Sequence, residues 1–243
     1  MPLVSMNEIL PAARKAGRAI GAFNAANYET AVAIIKATEA EKSPVILQIY
    51  SRLFANGKAE ALGGLLIRLA EKCSQPVAVH MDHGESLEQV RNALSWGYNS
   101  IMLDGSRLPF AENVALTSEA VALAHAAGAS AEGEIGHVAM GDETALSDVE
   151  ETCQFAAATK VDALAVSIGT AHGYYKQTPK LDLELCRQIG ERLPKLPLVL
   201  HGGTGTPIAD VQKAITLGIT KINVATEFQH TFLKAVQADL EAA

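Results

Sequence analysis

Two textures alternate along the whole chain. Short apolar runs rich in β-branched residues are each followed by a longer segment with apolar positions at helical spacing. The short runs are Ala19–Phe23, Val45–Gln48, Val77–Met81, Ser100–Leu103, Ala129–Glu132, Ala163–Ser167, Leu198–Leu200 and Lys221–Val224, eight in all. The longer segments carry helix start signals. Ser5 stands three residues before Glu8, the spacing of a capping box. Ser86 precedes a stripe of Leu87, Val90, Ala93 and Leu94. Ser147 leads into Asp148, Glu150 and Glu151, which place negative charge in a first helical turn. Gly97, Gly128 and Gly218 fall where helices turn into the next strand. Strand and helix in alternation predict a mostly parallel sheet, and eight such units without a compositional break predict an α/β fold, a closed (β/α)8 TIM barrel spanning residues 1–243 as one domain. An open doubly wound sheet is the structural alternative. No G-x-G-x-x-G follows the first strand, which counts against it.

Composition narrows the function classes. Of 243 residues, 49% are hydrophobic and 19% charged, enough to bury a large core. The net charge of −7 argues against a nucleic-acid partner, which calls for basic surface. Cys73, Cys153 and Cys186 are odd in number and widely spaced, so neither a disulfide framework nor a cysteine metal site is expected. The start, MPLVSMNEIL, lacks the pattern of a signal peptide, and no apolar run is long enough to span a membrane. The expected setting is the cytoplasm, with no membrane partner.

The polar residues fall at the ends of the runs, where this barrel builds its sites. Asn24 ends the first strand, His80-Met81-Asp82-His83 the third, Asp104 the fourth, and Glu132 with Glu134 the fifth. His172 follows the sixth strand, His201 ends the seventh and Asn223 ends the eighth. His83, His172 and His201 can supply three nitrogens to one metal ion and leave a position for substrate, the pattern of catalytic zinc. His125 and His230 lie in predicted helices facing solvent, and His137 lies in a loop. Asp82 can move a proton at a substrate hydroxyl, or hold a histidine in one tautomer, and His80 is the better candidate for that supporting role. Asp104, Glu132 and Glu134 form an acidic cluster, either a second cation site or salt-bridged structure. His201-Gly202-Gly203-Thr204-Gly205 and Asn223-Val224-Ala225-Thr226 are two turns that lead into helices, where backbone N–H groups can cradle a phosphate. A Lewis acid, a proton-transfer carboxylate and a phosphate cradle together suit aldol chemistry on a phosphorylated ketose.

These stretches, with Gly21-Ala22-Phe23-Asn24, Leu103-Asp104-Gly105-Ser106, Glu132-Gly133-Glu134-Ile135-Gly136 and Ile168-Gly169-Thr170-Ala171-His172-Gly173, run through the chain in one order. The set resembles the class II fructose-bisphosphate/tagatose-bisphosphate aldolases. The resemblance implies zinc on His83, His172 and His201, and a zinc-stabilised enediolate after cleavage to dihydroxyacetone phosphate and an aldehyde. It implies Asp82 as the acid/base at the hydroxyl beside the cleaved bond. It implies a dihydroxyacetone-phosphate site from Asn24, Gly173, Gly202, Gly203, Thr204, Asn223, Val224, Ala225 and Thr226, with a monovalent cation (Na+ or K+) nearby. Asp104 and Glu134 match positions that can hold a second divalent ion. An acidic residue on the loop after the fifth strand moves the other proton; counting from Glu134, Asp142 falls there, with Glu143 beside it. The resemblance also implies a sugar-phosphate substrate and a homo-oligomer, a dimer or tetramer.

Four departures from the family pattern shape the expectation. The loop at Met140–Thr144 is short. Gln48–Phe54 lacks the usual small, Ser/Gly-rich loop after the second strand. The chain stops at Ala243, read as soon after the eighth helix begins. Ala26 stands where the family often has asparagine. The ketone-phosphate half thus matches and the aldehyde half differs, which points to an aldehyde partner other than glyceraldehyde 3-phosphate, with Arg52 reading its far end. Two other functions stay open on the residues alone: a non-catalytic sugar-phosphate-binding barrel, and a metal enzyme that stops at the enediolate.

Overall fold

The computed structural model describes residues 2–138, 145–173 and 178–242. Eight parallel strands close on themselves in the order β1 to β8. They are β1 Ile20–Asn24, β2 Val45–Tyr50, β3 Val77–Gly84, β4 Ser100–Leu103, β5 Ser130–Ile135, β6 Ala163–Val166, β7 Leu198–Leu200 and β8 Ile219–Val224. The helices are α1 Met6–Lys15, α2 Tyr28–Glu41, α3 Lys58–Lys72, α4 Leu87–Ser95, α5 Phe110–Ala126, α6 Val149–Thr159, α7 Leu183–Arg192, α8 Ile208–Thr216 and α9 Thr226–Ala242. All eight expected strands are present. None of the described helices is long and apolar enough to cross a membrane.

Side chains alternate across each strand, so one set faces the helices and the other the barrel axis. The outward set, including Leu47, Ile49, Val79, Met81, Leu164, Val166, Leu198 and Leu200, packs beneath the helices in one large apolar core. The inward set changes character along the axis. Near the N-terminal ends of the strands it is apolar and mostly small: Ile20, Ala22, Ile46, Ala78, Ala163, Ala165 and Val199. The small residues leave room for Met6, Ile9 and Leu10 of α1, which plug that end. The chain before α1 is tied in by Val77 N–H to Pro2 O at 2.7 Å and Val4 N–H to Val77 O at 2.9 Å. Toward the C-terminal ends the inward positions are polar and still buried: Asn24, Gln48, His80, Asp82, Glu132, Glu134, His201, Lys221 and Asn223. The polar residues expected at a rim therefore fill the upper layer of the barrel interior.

Local signals act as the sequence suggests, with two corrections. Ser5 N–H donates to Glu8 Oε1 at 2.8 Å, and Ser86 Oγ accepts from Gln89 N–H at 3.2 Å. Gly97, Gly128 and Gly218 all take the left-handed φ expected after helices. Ser147 does not begin α6. Asp148 does, its Oδ1 accepting from Glu150 N–H at 2.8 Å and Glu151 N–H at 2.9 Å. Ser147 instead donates to Ile135 O at 2.7 Å and ties the loop to β5. The last helix does not merely begin before Ala243. With no glycine or proline to stop it, α9 runs for 17 residues.

Arg14 fastens α1 to the ends of α7 and α8. Its guanidinium donates to Pro194 O at 2.9 Å, Gly218 O at 2.5 Å and Leu193 O at 3.0 Å, carbonyls that follow helix C-termini. Gly218 has φ 124°, and a Cβ there would meet the Arg14 guanidinium at 2.7 Å, so both backbone and neighbour require glycine. Arg14→Ala should lower the unfolding free energy by about 1–3 kcal/mol in urea titrations, since several half-buried carbonyls lose a charged donor. Turnover should be unchanged, because this anchor lies at the end of the barrel away from the polar layer.

Candidate metal centre and active site

His83, His172 and His201 converge although they come from β3, the segment after β6 and the segment after β7. Their potential ligand atoms all lie within 4.8 Å of one another. The ring centroids are 4.6 Å apart for His83 and His201, 4.9 Å for His83 and His172, and 5.8 Å for His172 and His201. His83, Asp104 and Glu134 form a second such group that shares His83.

A local irregularity makes the first group possible. Asp82 and His83 are neighbours in a strand, so an ideal pleat would turn one of them away from the axis. The pairing of β3 with β4 shifts register between Met81 and Gly84, and His83 takes a left-handed φ of 52°. That conformation costs a non-glycine residue roughly 1 kcal/mol, and such strain collects at functional sites. It leaves Asp82 facing the axis and turns His83 to the same mouth.

For His201 and His83, the hydrogen-bond partners identify the nitrogen left for a cation. His201 Nε2 lies 2.9 Å from Glu132 Oε1, whereas its buried Nδ1 has no hydrogen-bond partner. Glu134 Oε2, 3.4 Å from that Nδ1, is likewise buried and unpaired. Buried polar atoms are rarely left unmatched. A divalent cation between them would satisfy both, and nitrogen with carboxylate oxygen is the donor set zinc takes. His83 Nδ1 is 2.8 Å from Asp104 Oδ2, and Ser106 donates to Asp104 Oδ1 from both its N–H, at 3.0 Å, and its hydroxyl, at 2.7 Å.

The electrostatics carry the same message. Burial alone would lower the His83 imidazole, but Asp82, the hydrogen bond to Asp104 and the nearby Glu134 together push it up to about 10. Burial and then Asp104 raise the Glu134 carboxyl to about 8. Burial works upward on Asp104 too, but its bonds to His83 and Ser106 hold it well below the usual carboxylate range. Burial and then His83 lower His172 to about 4, and burial drives His201 well below its ordinary value. Two neutral imidazoles thus stand beside a protonated one surrounded by acid. A mouth that retains a proton so strongly is negative enough to prefer a metal ion in its place.

Asp82 is gripped from both sides. Asn24 Nδ2 donates to Oδ2 at 2.7 Å and Asn223 Nδ2 donates to Oδ1 at 3.2 Å. Asn24 is itself set by Gln48, whose Nε2 donates to Asn24 Oδ1 at 3.1 Å. The acidic cluster read from the sequence divides in two. Asp104 and Glu134 lie within ligand reach of His83, while Glu132 lies behind His201, with Oε1 2.9 Å from its Nε2 and Oε2 2.9 Å from Lys221 Nζ. His80 is fully buried, with Nδ1 2.7 Å from Ser100 Oγ and Nε2 3.7 Å from Glu132. It is held by Ser100 and makes no hydrogen bond to Glu132.

The two phosphate-cradle turns meet the same mouth. Gly202 has φ 63°, and a Cβ on it would strike Ala171 O at 2.2 Å, so the loops after β6 and β7 touch only because this residue is glycine. Thr204 is nearly buried, and Gly173, with φ 93°, continues the loop from His172. Val224 and Ala225 lead from β8 into α9, whose first residue is Thr226. After β2 the chain continues through Tyr50 into a 3-10 turn, Ser51–Asn56. The Tyr50 ring sits 5.9 Å from the His83 ring, and the Arg52 guanidinium lies 4.8 Å over Tyr50. Asp142 and Glu143 lie outside the described residues. Of the other histidines, His125 pairs with Asp162 at 2.9 Å on the surface and His230 is on α9, whereas His137 borders the site, with Nδ1 2.9 Å from Ser106 Oγ and 3.9 Å from Glu134 Oε1. Sequence reasoning gave no role to Gln48, Ser100 or Lys221. Only Lys221 carried a signal: a lysine inside a strand of an otherwise apolar barrel has to be paired.

Comparison with known proteins agrees with this geometry. The family model described as fructose-bisphosphate aldolase class-II matches residues 4–243. A probable fructose-bisphosphate aldolase of Bacillus subtilis is 42% identical, over 100% of this chain and 88% of its own length. The fructose-bisphosphate aldolase of Geobacillus stearothermophilus is 41% identical, over 98% and 85%. Among solved structures, the YdjI aldolase from Escherichia coli K12 superposes with a TM-score of 0.90 at 35% identity, covering 98% of this chain and 87% of that one.

The ionisation pattern predicts how the metal-free protein responds to pH. The folded value for His83 is raised from 6.5 to about 10, so its contribution is full below pH 6.5 and lost as pH rises through about 10. For Glu134, raised from 4.5 to about 8, the contribution is full below 4.5 and lost through about 8. Calorimetry of chelator-treated protein should therefore show Tm falling from about pH 4.5 to 10, most steeply between about 6.5 and 8, where both groups titrate. Added divalent metal should restore Tm most strongly at the alkaline end, where it no longer competes with a proton. A metal-free Tm that stayed flat across that range would contradict this balance of charges.

Proposed function

The chain belongs to the class II fructose-bisphosphate aldolases, and on that premise we propose that it uses zinc on His83, His172 and His201, with Asp82 as the acid/base at the scissile bond. Family membership makes it a carbon–carbon lyase, metal-dependent and acting on a sugar phosphate. The observation that carries the finer reading is the convergence of three imidazoles beside a carboxylate held by two amides. Zinc there supplies Lewis acidity toward the ketose carbonyl and offsets the negative charge that cleavage leaves on the triose phosphate.

The residues divide the remaining work. Asp82 takes the proton of the hydroxyl beside the scissile bond, the carbon–carbon bond breaks toward the ketone half, and the aldehyde leaves. Both Asp82 oxygens already accept an amide N–H, so the carboxylate cannot swing away from the mouth. The dihydroxyacetone-phosphate half binds with Asn24, Gly173, Gly202, Gly203, Thr204 and the turn from Asn223 through Val224 and Ala225 to Thr226. The support is the closely packed turn at Gly202 and the start of a long helix at Thr226. Asp142 or Glu143 exchanges the second proton, a role that rests on family position. Asp104 and Glu134 offer a second divalent position through His83, supported by their placement within ligand reach of it. A monovalent cation beside the phosphate, Na+ or K+, rests on family resemblance. So does a dimer or tetramer, with Leu233 and Leu240 exposed on α9 as supporting observation.

Arg52 reads the far end of the aldehyde. Its guanidinium is stacked on Tyr50, one ring away from His83, and so sits beyond the bond-making position rather than at the ketone end. The substrate class is then a ketose phosphate whose aldehyde half carries an anionic or strongly polar terminus.

Three measurements test this reading. Asp82→Asn should cut turnover by about 10²–10⁴-fold while zinc affinity stays within a few-fold, because the amide keeps the shape but cannot take the proton. Chelation should abolish release of triose phosphate and zinc should restore it; activity that survives complete metal removal would end the proposal. Arg52→Ala should change relative rates across aldehydes bearing and lacking a terminal anion; equal losses on all of them would remove Arg52 from substrate reading.

A further inference from the structure

Lys221 is a fully buried lysine in the barrel interior, and the aldol reaction does not use it. Its inward position depends on a defect in the sheet. The register of β7 with β8 shifts between Leu198 and Val199, so Ile219 pairs with Leu198 and Lys221, not Thr220, pairs with Val199. Thr220 is spent on the bulge. Val199 faces the axis, so Lys221 does too, and Asn223 two residues on shares that face. Its Nζ lies 2.9 Å from Glu132 Oε2 and donates to Asn223 Oδ1 at 2.7 Å.

An ammonium has three donors and no acceptor. That one-way chemistry sets the direction of every bond beyond it. On one arm, Glu132 stays a carboxylate and its Oε1 takes an N–H from His201 Nε2, 2.9 Å away. The imidazole then carries its proton on Nε2, and the lone pair on the unpartnered Nδ1 points to the metal position. On the other arm, Asn223 must turn Oδ1 to the lysine, which leaves Nδ2 to donate to Asp82 Oδ1 at 3.2 Å. We propose that Lys221 is a positioning residue for both halves of the centre: through Glu132 it selects the metal-binding tautomer of His201, and through Asn223 it orients the amide that holds Asp82. The proposal rests on the reading of His201 as a metal ligand.

The decisive experiment needs no activity assay. In metal-free wild-type protein labelled with 15N-histidine, long-range proton–nitrogen spectra should show His201 protonated on Nε2. A spectrum showing Nδ1–H overturns the proposal without any variant, so it stands or falls even if substitutions at Lys221 prevent folding. Zinc affinity, read by competition with a chromophoric chelator, supplies the energetic test. Lys221→Met should weaken zinc by about 10–100-fold, the range for loss of a group that orients a ligand. Glu132→Gln should weaken it as well, because the lysine draws the amide oxygen and leaves an amide N–H against Nε2, which forces the proton onto Nδ1. In the double variant the amide is free to turn its oxygen to His201, so zinc should bind more tightly than to Glu132→Gln alone. A merely structural pair would show no such rescue, and a double variant no tighter than Glu132→Gln overturns the proposal. Should wild-type protein take up no zinc, the reading of the metal site fails while the tautomer result still reports on Lys221.

Discussion

Burying charge in a closed barrel is the constraint on which the rest of this structure depends. Glu132, Glu134 and Asp82 are almost entirely removed from water, and Asp104 is close beside them. An unpaired carboxylate in such a place is costly enough that the group takes up a proton or finds a partner. Each of the four finds a different kind of compensation. Glu132 has an ammonium, Asp82 has two amide donors, Asp104 has an imidazole and a serine, and Glu134 has its own raised proton affinity. His201 Nδ1 and Glu134 Oε2 are among the buried atoms without a hydrogen-bond partner, and on the proposed reading a metal ion would compensate both.

The fold makes this arrangement possible by separating two tasks along one axis. The lower barrel is apolar and plugged by α1, which Arg14 fastens to the ends of α7 and α8. Stability is thereby secured at one end while the other is filled with groups that do not pack as oil. Two sheet irregularities then aim the chemistry. The break near Met81 brings His83 and Asp82 to the same mouth, and the break at Thr220 brings Lys221 inward. Each exchanges some regular pairing for a side-chain direction that an ideal strand cannot provide.

For substrate, the site is asymmetric. On the proposed reading, the ketone-phosphate side would be built from backbone at Gly202 and from the turn into α9, features that suit one constant group. On the same reading, the aldehyde side would be bounded by Tyr50 at the end of β2 and Arg52 on the 3-10 turn after it, a long side chain stacked on a ring. Variation in what the enzyme accepts is expected on the second side, because a change there leaves the metal and phosphate contacts intact.

The sequence alone determined a great deal: the eight strands, the closed parallel barrel, the three histidines that converge and the family. These follow from alternation, from polar residues at strand ends and from ordered motifs, all of which are local in the chain. Tertiary structure decided what depends on partners far apart. It split the acidic cluster, because only the closed barrel sets Lys221 of β8 beside Glu132 of β5. It set Asn223 as a brace for Asp82, moved the α6 cap from Ser147 to Asp148, and ran α9 from Thr226 to Ala242. It also decided which side of β8 faces inward, since a bulge reverses the face of every residue beyond it and periodicity does not reveal where pairing slips.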